Sequence, residues 1–163
     1  MADTVGEKLF DATKDGCVSE VSTLLRDHPE IDVNWTNPEF FQWTPLHIAS
    51  SYDHVELVKL LLAHPDINFN VKNKFGKTPF SLCCWQGKVS VVKLLLKDPR
   101  VDVTMDDNSG CTPLWWATWD GRHEVVEWLI ASGRDLGDVK NKKGNWDDGK
   151  DYTALEIARK RED

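Results

Sequence analysis

Five histidines, four cysteines and one acidic loop are the groups in this 163-residue chain with the chemistry to hold a metal, attack an electrophile or move a proton. Each of those tasks needs several such groups to converge. A zinc site asks for thiolates and imidazoles in closely spaced pairs, and Cys17, Cys83, Cys84 and Cys111 contain no C-x-x-C pair. His28, His47, His54, His64 and His123 are dispersed, and none is set beside a serine or cysteine nucleophile with an orienting carboxylate. The chain contains no G-x-x-x-x-G-K-S/T, no G-x-G-x-x-G and no H-E-x-x-H. The loop Asn145-Trp146-Asp147-Asp148-Gly149-Lys150-Asp151 gathers carboxylates round a glycine, as a calcium loop does. It lacks that loop's alternating register and distant glutamate, and it reads as a solvated insertion with Trp146 packed back on the preceding unit. The expectation is therefore no catalysis, no metal and no cofactor. The thiols read as reduced packing residues, which places the chain in the cytoplasm or nucleus.

Charge narrows the partners. Twenty-seven acidic against 20 basic residues leave a formal charge of -7, which repels a phosphate backbone and offers no polybasic footprint to an anionic membrane. Nucleic acid and membrane are not expected partners. The first residues, Met1 to Lys8, lack the apolar core and basic start of a signal peptide, and no run approaches the length of a membrane span. What remains is aromatic: eight tryptophans with six phenylalanines and two tyrosines, in a chain that is 40% apolar and 29% charged. Tryptophan and tyrosine dominate protein-binding hot spots, so the elements that position them decide the reading.

Those elements repeat. Thr44-Pro45-Leu46-His47-Ile48-Ala49 returns 34 residues later as Thr78-Pro79-Phe80-Ser81-Leu82-Cys83, and after 34 more as Thr112-Pro113-Leu114-Trp115-Trp116-Ala117. A fourth copy, Thr153-Ala154-Leu155-Glu156-Ile157-Ala158, follows after 41 residues, and a degenerate one, Leu9-Phe10-Asp11-Ala12, comes first. Threonine caps a helix start and proline at the first helical position gives up a donor that had no partner. Gly16, Asp53, Gly87 and Gly121 end these helices, and a second apolar stretch follows each, as in Val55 to Leu62, Val89 to Leu96 and Val125 to Ile130. The loops His28-Pro29, His64-Pro65 and Asp98-Pro99 then lead into alternating apolar pairs, Ile31/Val33, Ile67/Phe69 and Val101/Val103, which suit short extended segments with one face packed.

This pattern resembles the ankyrin-repeat family over nearly the whole chain, with units one residue longer than the usual 33. The resemblance implies an all-α solenoid of stacked helix-turn-helix units with short β-hairpin fingers, forming a single domain over residues 1–163. Its units run over about 1–36, 37–72, 73–106 and 107–141, then an insertion at 142–151 and a partial unit at 152–163. It also implies a monomeric protein-interaction module that binds a partner protein or peptide on its concave, aromatic-rich face. The alternatives are an inhibitor that occludes a partner's active site, or the recognition arm of a larger protein.

Family-variable positions lie on the fingertips and at the ends of the inner helices. Carried over, they are Phe40, Phe41, Trp43, Ser51 and Tyr52 in the second unit, Lys74, Phe75, Lys77, Trp85 and Gln86 in the third, and Asn108, Ser109, Cys111, Trp119 and Asp120 in the fourth. Trp43, Tyr52, Phe75, Trp85 and Trp119 form the expected grip. Trp85 and Trp119 also read as stiffeners of their own hairpins, Trp115 as either packing or groove, and Phe40 or Phe41 as tucked beneath the finger. Trp116 and Trp128 are expected in the core, and the bond that His47 makes locally is expected to be missing at Ser81 and Trp115. Asn34 and Asn70 sit where the family accepts asparaginyl hydroxylation. The final helix, without an outer partner, is expected to fray.

Overall fold

The computed structural model describes residues 4–145 and 149–161. Among these the chain runs α1 (Val5–Lys14), α2 (Val18–Asp27), α3 (Pro45–Ser51), α4 (Val55–Leu62), α5 (Pro79–Gln86), α6 (Val89–Leu96), α7 (Pro113–Trp119), α8 (His123–Ala131), β1 (Lys143–Asn145), β2 (Asp151–Thr153) and α9 (Ala154–Arg161). The odd-numbered helices stack in order into an inner layer and the even-numbered ones into an outer layer. Helices this short do not persist alone in water, so each is held by the faces it buries between its neighbours. Leu46, Leu57, Leu61, Phe80, Leu95, Val125 and Leu129 belong to that continuous core.

The inner helices begin alike. Thr44, Thr78 and Thr112 accept from the backbone N–H three residues on, with proline at the first helical position. The reciprocal bond from the threonine N–H goes to His47 Nδ1 at 3.1 Å and to Ser81 Oγ at 3.0 Å. Ser81 thus keeps the local bond it was expected to lose, because a hydroxyl on Cβ reaches back as the imidazole does. What Ser81 cannot do is cross to the next unit. His47 Nε2 lies 3.0 Å from the Lys77 carbonyl, and Trp115 Nε1 donates to the Tyr152 carbonyl at 2.7 Å. Both carbonyls belong to the residue preceding the next unit's capping threonine. Trp115 is fully buried, so it is a packing residue that bridges two units.

The turn after each inner helix needs a left-handed residue. Gly16, Gly87 and Gly121 have φ of 73°, 72° and 67°, and Asp53 holds the same place at 61°. The apolar pairs in the inter-unit loops are buried as expected, but the loops are turns rather than extended segments. Trp128 departs from its expected place in the core: it is 41% exposed, with Lys93 Nζ 4.4 Å from its ring centroid. It stands in register with Leu60 and Leu94, which are themselves only partly buried against the core, and the larger indole at that place projects further into solvent. At the far end α9 is capped on both sides of its first turn, Glu156 N–H donating to Thr153 Oγ1 at 3.1 Å and Thr153 N–H to Glu156 Oε2 at 2.7 Å. Ala154 and Ile157 are buried in one cluster with Trp115 and Trp116 of α7.

Candidate functional site: the concave groove

Three tight fingers overhang the inner helices, each built round one side chain. Asn37 Oδ1 accepts from the N–H groups of Glu39 and Phe40, Asn73 Oδ1 from Phe75 and Lys77, and Asp107 Oδ1 from Ser109 and Cys111. Such Asx turns preset the loop. The fingertips then bond to one another, Lys74 N–H to the Phe41 carbonyl at 2.9 Å and Asn108 N–H to the Phe75 carbonyl at 3.1 Å. That approach leaves no room at Gly76, where a Cβ would stand 2.6 Å from the Asn108 backbone nitrogen.

Between fingers and helices lies a cavity of about 260 Å³, walled by Phe41, Trp43, Phe75, Leu82 and Trp85. Phe41 and Phe75 are exposed at its rim, their ring centroids 5.3 Å apart. Lys77 and Asp107 contribute a buried ion pair, Nζ to Oδ2 2.7 Å, to the same lining. The ammonium lies 3.3 Å from the Trp116 ring centroid and 4.9 Å from that of Trp85, and Asp107 Oδ2 also accepts from Trp116 Nε1 at 2.8 Å. Burial lowers the Lys77 pKa, and the bond and charge of Asp107 oppose that shift. A paired cation held against two indoles makes this a rigid lining.

A more open hollow adjoins it along the helix ends, lined by Tyr52, Trp85, Gln86 and Asp120. Ser51 Oγ donates to Gln86 Oε1 at 2.8 Å, tying neighbouring inner helices, and Arg122 pairs with Asp120 while its Nε donates to the Trp85 carbonyl at 3.1 Å. Trp85 and Trp119 each give part of their surface to a buried tryptophan. Trp85 leans on Trp116, and Trp119 stacks on Trp115 with centroids 5.1 Å apart and planes at 9°. Both remain half-exposed, so packing and partner contact are compatible for them.

Of the residues singled out from sequence, Phe41, Trp43, Phe75 and Trp85 come together round one cavity, with Tyr52, Gln86 and Asp120 round the next. Phe40 is tucked under its finger against Phe10 and Trp43. Ser51, Lys77 and Cys111 are buried and already engaged, because the fold spends them on the helix tie, the ion pair and the finger base. Asn34 and Asn70 are engaged too. Each side chain clasps the next loop, Asn34 donating to the Asp66 carbonyl and accepting from Asn68 N–H, Asn70 donating to the Arg100 carbonyl and accepting from Asp102 N–H. Asn73 and Asp107, which organise the groove, were not picked out from sequence, although they stand 34 residues apart just before the repeated Thr-Pro.

The groups with chemistry are subdued. Burial pushes the Cys111 thiol up to about 12, raises that of Cys84 well above its ordinary value, and lowers His47 to about 4. No group of three or more metal-binding side chains occurs among the described residues, and no helix among them is long and apolar enough to cross a membrane. Trp146, Asp147 and Asp148 of the acidic loop lie outside the described residues.

Comparison with known proteins matches a family model of ankyrin repeats, in three copies, to residues 9–107 and 65–143. The chain is also similar to alpha-latrocrustotoxin-Lt1a of Latrodectus tredecimguttatus, 46% identical over 54 residues that make up 33% of this chain and 4% of that protein.

Proposed function

We propose, from the premise that this chain belongs to the ankyrin-repeat family, that it is a recognition module which holds a partner protein or peptide along its concave face. Ankyrin repeats are generally protein–protein interaction modules. The observation that carries the finer reading is the concentration of exposed aromatic surface on one side. Phe41, Tyr52 and Phe75 are exposed on the fingers and inner-helix ends, beside the half-exposed Trp43, Trp85 and Trp119. Large aromatic anchors round desolvated hollows are how interfaces concentrate their energy. The net charge of -7 favours a basic partner, chiefly through association rate. Buried, protonated thiols and a buried neutral imidazole fit recognition rather than catalysis. Four cysteines without disulfides fit a reducing compartment, cytosol or nucleus.

The test is capture from cell lysate by the wild-type chain beside a Phe41→Ser/Tyr52→Ser/Phe75→Ser variant of equal helicity by circular dichroism. A partner lost only from the variant is the expected result. Capture that survives all three substitutions would move the interface to the outer helices. Assaying the captured partner's own activity then separates an adaptor from an occluding inhibitor.

A further inference from the structure

Among the described residues four buried polar side-chain atoms lack a hydrogen-bond partner, and two of them, Trp43 Nε1 and Asn73 Nδ2, belong to residues lining the 260 Å³ cavity. The Asn73 amide cannot simply be turned over. Its Oδ1 accepts from Phe75 N–H at 2.9 Å and Lys77 N–H at 3.0 Å, so the NH2 end is the one left without an acceptor. The register explains the coincidence. Trp43 stands 34 residues before Lys77, and Asn73 stands 34 before Asp107. In the later unit those two places hold a donor and a carboxylate with an oxygen to spare, and they pair at 2.7 Å. In the earlier unit both places hold donors, and an unmade bond at a buried donor forfeits its hydration with nothing in return.

Resting on the reading of the concave face as the docking surface, we infer that this cavity is the socket for one apolar side chain of a partner protein, whose flanking main-chain carbonyls accept from Trp43 Nε1 and Asn73 Nδ2. The walls of Phe41, Phe75, Leu82 and Trp85 are apolar. At about 260 Å³ the space falls below the range usual for whole small-molecule ligands, so it suits a single side chain. Neutral carbonyls are the matching acceptors. The two donors are uncharged, the ammonium of Lys77 is already held by Asp107, and a carboxylate would surrender its hydration for no free cation there. The nitrogens are themselves covered, and the occupant reaches them past the rim rings of Phe41 and Phe75, whose exposure leaves room to turn.

The test uses a probe that carries only these features, N-acetyl-phenylalanine N-methylamide, titrated into the 15N-labelled chain. The Trp43 indole and Asn73 side-chain amide signals are expected to move downfield and saturate together, with Kd on the order of millimolar for so small a ligand. Trp43→Phe keeps the wall and removes one donor. Asn73→Asp keeps the turn-forming oxygen and replaces the amide donor with an acceptor. Each is expected to weaken the diamide about fivefold to tenfold. The inference is overturned if both signals stay still, if toluene binds as tightly as the diamide, if N-acetyl-phenylalanine with its free carboxylate binds more tightly, or if Trp43→Phe leaves the affinity unchanged. The capture experiment fails or succeeds separately. A partner lost by the triple serine variant, with no diamide shift, retains the docking face and removes the socket.

Discussion

Acidification should unfasten this array at His47 before its carboxylates titrate. The imidazole is fully buried between units, bonded to Thr44 on one side and to the Lys77 carbonyl on the other, and desolvation lowers its pKa from the ordinary 6.5 to about 4. In the unfolded chain it takes a proton near 6.5, so between that value and 4 the unfolded state binds more protons and stability falls as pH falls. From pH 7.5 to pH 5.0 the linkage amounts to ~2 kcal/mol, at about 1.4 kcal/mol per pKa unit. Asp98, Asp106 and Asp138 have pKa values lowered by their hydrogen bonds, so their contributions are present above the ordinary carboxylate range and are lost below it. The pH 5.0 reading therefore precedes them. The control is His47→Ser, since Ser81 fills the same place one unit later and keeps the capping bond. At pH 7.5 the variant should be the weaker by ~2–4 kcal/mol, for the cavity and the lost inter-unit bond. Urea unfolding followed by tryptophan fluorescence at both pH values gives the comparison, in which the other four histidines cancel. Wild type should lose about 2 kcal/mol more than the variant between pH 7.5 and 5.0. Parallel losses would refute the assignment of the acid sensitivity to this buried imidazole.

Four further outcomes follow from the same geometry. Lys77→Met leaves the buried Asp107 carboxylate without its cation, and should cost ~3–5 kcal/mol in urea unfolding, toward the lower end because the Trp116 indole and two amides still donate to it. Asp53→Gly removes a side chain from a left-handed position that the equivalent turns fill with glycine, and should raise stability by up to about 1 kcal/mol, seen as a higher urea midpoint with an unchanged slope. Asn70→Ala opens both bonds of its clasp and should cost ~1–2 kcal/mol. By the same argument, mass spectrometry should find Asn34 and Asn70 hydroxylated more slowly by an asparaginyl hydroxylase in the folded chain than in short peptides spanning either residue.

The helices were legible because their signals are local. A capping threonine, a first-turn proline and a left-handed turn residue act within one unit, and their 34-residue return identifies the stack. Exposure was less legible because it depends on what lies in the next unit. Trp128 looks like Leu60 and Leu94 to any periodic reading, yet those two are themselves only partly buried, and the larger indole stands 41% exposed. Lys77 looked like a fingertip contact, yet it is buried, since the next unit supplies Asp107 within reach. The useful unit of reading is therefore the pair formed by a residue before the Thr-Pro and the turn-forming residue one finger later. Read that way, Lys77 with Asp107 is a matched donor and acceptor, whereas Trp43 with Asn73 is two donors. A repeat tolerates such a mismatch at a cost in stability, and a binding partner that brings the missing acceptors recovers that cost as affinity. The least satisfied finger pair of this array is thus also the place where a ligand has most to gain.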